Sequence, residues 1–203
     1  MPLFTVLLIL LHMQTVFEAP QLKSVTPVDQ YPNIVASTWV LSDLEITTDG
    51  VVKSATTLEG NSPLPGTLLA SVRRWAFTPA YATGPVESHV MAVFLFRARD
   101  IFSSLAPNLL EISIAGLNRP PIPVSISDPG YMATSIAEGQ VILELRLTEK
   151  GAIQNVRVIN TISGLNEFTE RAVRSWRFAP ALSNGTPVPG TVIAVVSYLR
   201  PVV

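Results

Sequence analysis

A nine-residue segment occurs twice in this chain, and this repetition constrains the fold more than any other feature of the sequence. Val72–Ala80 reads VRRWAFTPA, and Val173–Ala181 reads VRSWRFAPA 101 positions later. At this offset Trp39–Gly84 aligns with the second copy without a gap, and thirteen of its forty-six positions are identical. Self-similarity at a fixed spacing is typical of repeated structural units. The sequence therefore predicts two copies of one small fold in tandem.

The order of elements is clearest in the second copy. From Val141 to Thr148 every second residue is Val or Leu, which is the period of a strand with one buried face. A glycine turn at Glu149–Gly151 leads into a second strand, Ala152–Ile162. Apolar side chains then recur at helical spacing: Leu165, Phe168, Ala172, Val173 and Trp176. Since a final strand follows at Thr191–Leu199, the predicted order is strand, strand, helix, strand.

The first copy follows the same order. Its first strand is Val40–Ile46 and its last is His89–Phe96. Its helical stripe has four members: Leu64, Leu68, Val72 and Trp75. Short segments before the copies, Tyr31–Ala36 and Tyr131–Ala137, have room for one or two helical turns. We therefore expect an α+β fold of two tandem repeats, each a small antiparallel sheet with a helix packed on one face.

An apolar run at the N-terminus sets the first boundary. Leu3–Leu11 is interrupted only by Thr5. A membrane-spanning helix needs about 20 apolar residues, whereas the core of a signal peptide needs about 7–15. We therefore expect residues 1–19 to be a signal peptide. The alternatives are a short membrane anchor and a buried N-terminal element.

The remaining boundaries follow from the repeat. We expect the first repeat at residues 20–98 and the second at residues 120–203. Residues 99–119 are then a linker, which ends in the stiff, proline-rich run Arg119–Pro123. If this segment is only a linker, the two repeats unfold independently.

Composition argues against most catalytic functions and against nucleic-acid binding. The chain has no cysteine and two histidines, of which His12 lies in the predicted signal peptide. A Ser-His-Asp set or a histidine-rich metal centre would therefore depend on His89 alone. Fourteen basic and fifteen acidic residues give a net charge of −1, so there is no basic field for nucleic acid. We expect no enzyme activity, no cofactor, no metal and no nucleic-acid partner.

The repeated motif itself is interpreted as structural. Trp75 and Trp176 are in register with the apolar stripe of each helix, which predicts core positions for both rings. The motif residues expected to build the two cores are Trp75, Phe77, Pro79, Trp176, Phe178 and Pro180.

One segment has the character of a docking site. Thr191–Leu199 contains neither charge nor proline, and a strand at the edge of a small sheet presents unpaired N–H and C=O groups. We predict that an extended peptide pairs with this strand through its central residues: Val192, Ile193, Ala194, Val195, Val196, Ser197 and Tyr198. The alternative is that the other repeat covers this strand, and the same question applies to His89–Phe96.

Taken together, these motifs resemble the TonB C-terminal domain family. The likeness rests on the alternating strand, the glycine turn and above all the run Trp176–Ala181 (WRFAPA), of which Trp75–Ala80 is a degraded version. It covers roughly residues 31–97 and 120–200. The resemblance implies an α+β sandwich, a periplasmic setting, and binding of outer-membrane transporters by strand addition.

Two hypotheses for function follow. The first is a non-enzymatic periplasmic interaction module that captures an extended protein segment by β-augmentation. The second is a scaffold component of a cell-envelope assembly, in which the last strands pair between repeats or between two chains as a homodimer. Under either hypothesis the partner is a protein. A short N-terminal anchor would place the module at the inner membrane instead of free in the periplasm.

Overall fold

Most of both predicted repeats is visible in the structure. The computed structural model describes residues 16–27, 37–60, 65–97, 112, 114–130 and 137–199. The N-terminal apolar run up to residue 15, both tyrosine-containing segments apart from Ala137, Leu64 and most of the linker lie outside the described residues.

The elements follow in the same order in both halves of the chain. The first half contains β1 (Gln21–Ser24), β2 (Thr38–Ile46), β3 (Val52–Gly60), α1 (Pro65–Val72), β4 (Ala76–Thr78), β5 (Ala80–Tyr81), β6 (Pro85–Val86) and β7 (Ser88–Arg97). The second half contains β8 (Ile122–Ser125), β9 (Gly139–Leu147), β10 (Ile153–Asn160), α2 (Asn166–Val173), β11 (Arg177–Ala179), β12 (Ala181–Ser183), β13 (Thr186–Val188) and β14 (Gly190–Tyr198). The described part of the chain is mostly sheet with two helices, and the predicted α+β class is confirmed.

Six long strands form one continuous sheet in the order β10-β9-β14-β7-β2-β3. Each half contributes three antiparallel strands, as predicted. The two sets are joined because β14 and β7 pair in parallel. Two-stranded sheets β1–β4, β11–β8, β12–β13 and β5–β6 accompany the large sheet. The last strands of the halves therefore pair with each other, as the second hypothesis anticipated.

The sheet separates two hydrophobic clusters. One contains Val173 of α2 and Trp176 together with Val192, Ala194 and Val196 of β14. The other contains α1, Trp75, and the intervening β14 residues Ile193 and Val195. Since successive side chains of a strand point to opposite faces, α1 and α2 lie on opposite faces of the sheet. Both faces of β14 are buried, which explains its uninterrupted apolar sequence.

The turns from β2 to β3 and from β9 to β10 both require glycine. Gly50 has φ +81° and Gly151 has φ +77°. A Cβ at either position would collide with a carbonyl oxygen, that of Phe77 or that of Phe178. The predicted glycine turns therefore serve a second purpose, because they let the motif after each helix pack directly against the turn.

The N-terminal segment begins to pack before the expected end of the leader. Glu18 exchanges two main-chain hydrogen bonds with Tyr81, of 2.8 and 3.0 Å, and Ala19 is buried. Along the described ranges of the chain, no helix is long and apolar enough to cross a membrane.

Candidate functional site

The strand predicted to dock a peptide lies in the interior of the sheet. β14 pairs with β9 on one side and with β7 on the other over all of the residues in question: Val192, Ile193, Ala194, Val195, Val196, Ser197 and Tyr198. The prediction that these residues form a free edge is therefore wrong. The same question for His89–Phe96 has the same answer, because β7 lies between β14 and β2. An apolar sequence without charge or proline is compatible with an unprotected edge strand, but it is also typical of a strand that is buried on both faces.

The register of the central pair follows the spacing of the sequence repeat to within one residue. Met91 pairs with Val192 and Arg97 pairs with Tyr198, and each pair joins residues 101 positions apart. Corresponding positions of β7 and β14 are one residue out of this register, because Leu44 pairs with Val90 whereas Leu145, 101 positions after Leu44, pairs with Val192, 102 positions after Val90. A two-fold rotation about an axis along two parallel strands exchanges the strands, keeps their direction and exchanges the faces of the sheet. This local symmetry accounts for the placement of α1 and α2 on opposite faces.

The motif residues make the same contacts in both halves. Trp75 Nε1 donates to the carbonyl oxygen of Thr26 at 3.1 Å, and Trp176 Nε1 donates to that of Ser127 at 2.9 Å. The two rings are 2% and 1% exposed. Phe77 and Phe178 are also buried, while Pro79 and Pro180 are partly buried. These side chains are occupied in packing and are not available as a docking surface.

The strands that end the sheet are β3 and β10. Neither pairs on its outer side with another described strand. The register against the neighbouring strand shifts twice along each, so that Lys53 and Leu58 bulge in β3, and Gln154 and Ile159 bulge in β10. Between the bulges, four residues of each strand remain in regular pairing, Ser54–Thr57 and Asn155–Val158. We call these two segments the outer edge segments; they are the parts of the six-stranded sheet to which no further described strand pairs.

Charged side chains flank both outer edge segments. Lys53 Nζ donates to Glu45 Oε1 at 2.7 Å and to Glu87 Oε1 at 3.3 Å. The hydrogen bond from Lys53 lowers the pKa of Glu45 below its ordinary value. On the other side, Arg157 is half exposed and Val158 is 37% exposed. Charged side chains and bulges at edge strands oppose non-specific pairing between sheets. The outer edge segments are therefore short and protected against aggregation.

A buried carboxylate anchors the N-terminal strand next to β10. Glu144 is 1% exposed; its Oε1 accepts from the backbone N–H of Leu22 at 2.7 Å and its Oε2 accepts from Arg157 Nε at 2.6 Å. Arg157 Nη2 also donates to the carbonyl oxygen of Leu22 at 2.7 Å. The charge of Glu144 is therefore paired and hydrogen-bonded, as burial requires. The sequence does not indicate this contact, because Glu144 and Arg157 both lie at positions predicted to be the polar side of a half-buried strand.

His89 has a carboxylate partner that sequence spacing does not reveal. Its Nδ1 lies 3.0 Å from Asp43 Oδ1 across the β2–β7 pair. The hydrogen bond to Asp43 raises the pKa of His89 above its ordinary value of 6.5, and burial opposes this rise only in part. Among the residues that the structure describes, no group of three or more His, Asp or Glu side chains could hold a metal ion.

Comparison with known proteins finds a family similarity in the second half of the chain. Residues 132–198 match the family model of the Gram-negative bacterial TonB protein C-terminal. The match spans β9 to β14 and confirms the resemblance seen in the sequence for this part of the chain. That family consists of envelope-associated domains that interact with proteins such as outer-membrane transporters. Neither the curated proteins nor the solved structures contain a match to the chain.

Proposed function

We propose that this protein is a non-enzymatic periplasmic interaction module of the TonB C-terminal type, which binds extended segments of protein partners by strand addition at its outer edge segments. The observation that carries the proposal is the pairing of β14 with β7. This pairing occupies the last strand of each half, and it leaves β3 and β10 as the ends of the sheet. The family match at residues 132–198 supports a role in protein interaction.

The first half is, in this proposal, a diverged copy of the second. The two halves share the order of their elements. The β1–β4 pairs, such as Leu22 with Phe77, recur 101 positions later as β8–β11 pairs, such as Pro123 with Phe178. The bulges of β3 and β10 recur at the same spacing. Repeats at residues 20–98 and 120–203 thus form an intramolecular counterpart of a two-fold symmetric dimer.

Strand addition would use main-chain groups of the outer edge segments. Main-chain hydrogen bonds supply affinity in this mode of recognition, and alternate side chains supply specificity. A segment of outer-membrane transporter that is extended and free of proline is the partner best suited to Ser54–Thr57 or Asn155–Val158. A signal peptide within residues 1–19 would deliver the module to the periplasm.

The proposal is tested by titrating the full chain with peptides from the periplasmic segments of outer-membrane transporters. We expect the amides of β3 or β10 to gain protection from hydrogen exchange on binding, while those of β14 are unchanged. The matched controls are two peptides N-methylated at alternate residues, one at the odd and one at the even positions. The peptide that is methylated on the N–H groups facing the outer strand cannot complete the ladder and should not bind, whereas the other keeps these donors and should bind. Equal binding of the two N-methylated peptides, or the absence of new protection in both outer strands, would contradict strand addition.

The second candidate function is a scaffold in which an outer strand pairs with a second copy of the chain. The observation that favours it is the pairing of strands between the halves, because the same chemistry can operate between chains. Light scattering on the purified protein separates the candidates. A concentration-independent dimer whose outer strands are already protected from exchange supports the scaffold, and a monomer with unprotected outer strands supports peptide capture.

A further inference from the structure

The two outer edge segments are equivalent in position and in backbone form. Ser54 and Asn155 are 101 positions apart, as are Thr57 and Val158. Each segment is bounded by bulges at matching places. The local two-fold axis between β7 and β14 therefore relates one outer edge to the other.

We propose that one chain binds two copies of an extended segment at the same time, one on β3 and one on β10. This inference rests on the proposed function and specifies its stoichiometry. The main-chain N–H and C=O groups of a sheet edge are satisfied by another extended strand. Because both edges present the same four-residue length of regular backbone, a segment that fits one edge fits the other.

The dimensions of the sheet determine what kind of partner can engage both edges. Neighbouring strands lie about 4.8 Å apart, so strands added at both ends of a six-stranded sheet are separated by seven spacings, or about 34 Å. Two segments carried on one partner must span this distance. A partner with two-fold symmetry, which presents two copies of one segment, matches the symmetry of the edges.

The side chains around the two edges differ, and this gives the sites unequal affinities. Lys53, Glu45 and Glu87 form a mixed-charge cluster beside the β3 segment. Beside the β10 segment the half-exposed guanidinium of Arg157 lies against the buried Glu144. We expect an acidic residue in the bound segment to favour β10, since the two carboxylates beside the β3 segment outnumber Lys53, whereas Arg157 balances the charge of Glu144.

The first experiment measures stoichiometry by isothermal titration calorimetry of the full chain with a single transporter peptide. We expect two peptides per chain. Substituting proline in one edge should reduce this to one, and the matched pairs are Ser54→Pro with Asn155→Pro, and Ala55→Pro with Val156→Pro. The N–H groups of successive strand residues point to opposite sides. Of the neighbours Ser54 and Ala55, and likewise of Asn155 and Val156, one therefore points its N–H away from the sheet, and proline at that residue removes an outward donor without breaking the hydrogen bonds to the adjacent strand. Circular dichroism selects the variants that remain folded.

The second experiment joins two copies of the peptide by flexible Gly/Ser linkers. A linker of about 40 residues has a root-mean-square length near 35 Å, whereas a linker of six residues reaches at most about 21 Å. We expect the long tandem peptide to bind at least about tenfold more tightly than the single peptide, and the short one to gain nothing. One peptide per chain, with no gain from the long linker, would overturn simultaneous binding and leave strand addition standing. Failure of the single peptide to bind would overturn the proposed function itself.

Discussion

At the scale of the residue, the two halves place carboxylates at equivalent positions and give them different partners. Asp43 and Glu144 are 101 positions apart, and each lies on the first long strand of its half. Asp43 contacts His89, while Glu144 contacts Arg157 and the backbone of Leu22. The equivalent of Arg157 in the first half is Thr56, which carries no charge. The two carboxylates thus take part in different chemistry although they lie at matching places in the sheet.

The contact between His89 and Asp43 predicts a dependence of stability on pH. The pKa of His89 is raised in the folded protein, chiefly by Asp43 and also by Glu45 and Glu87. A raised folded-state pKa contributes stability below the unfolded value of about 6.5, and this stability is lost as pH rises through the folded value. We therefore expect the free energy of unfolding to fall on the order of 1 kcal/mol between pH 6 and pH 8.5 from this contact.

The measurement is urea unfolding of the parent and of Asp43→Asn at both pH values. The variant keeps the shape of the side chain and removes its charge, so its stability should change less over this range. An equal change in both proteins would show that this contact does not couple folding to protonation.

At the scale of the element, sequence pattern and position in the sheet are separate properties. β14 and β3 both read as strands, yet the apolar one is central and the polar one is at the end. The polar composition of Ser54–Thr57 and the charge at Lys53 are typical of a guarded edge. In retrospect, these features indicated the open strands better than the lack of charge in Thr191–Leu199 did.

The N-terminal segment provides a prediction at this scale. The hydrogen bonds between Glu18 and Tyr81 and the burial of Ala19 make residues 18 and 19 part of the folded unit. A chain that starts at residue 20 should be less stable than one that starts at residue 16 by about 2 kcal/mol, because it loses two main-chain hydrogen bonds. Urea unfolding of the two truncated chains measures the difference. Equal stabilities would instead support a leader that extends to residue 19.

At the scale of the whole molecule, the halves share one sheet and exchange contacts beyond it. Leu22 of the first half bonds to Glu144 of the second, and Arg97 pairs with Asp128 at 2.9 Å. Seven residue pairs join β7 to β14. Neither half could expose these surfaces without losing much of its buried area.

We therefore expect a single cooperative unfolding transition, in contrast to the independent unfolding that a simple linker would allow. Calorimetry should give equal van't Hoff and calorimetric enthalpies for the full chain. Val195→Pro should destabilise both halves together, since β14 is paired on both sides and any lost donor breaks a ladder bond. Two resolved transitions, or loss of only one half in the variant, would show that the halves fold separately.

The sequence by itself determined the local architecture, because strand period, glycine turns and helical stripes are properties of neighbouring residues. The offset of 101 also placed Trp75 and Trp176 in equivalent environments. Tertiary structure alone decided which strands became interior. Val192–Tyr198 is apolar whether it lies at an edge or between two strands, and only the approach of β7 from a distant part of the chain distinguishes these cases. The contacts of Glu144 with Leu22 and of Asp43 with His89 depend on the same long-range register, and no local pattern encodes it.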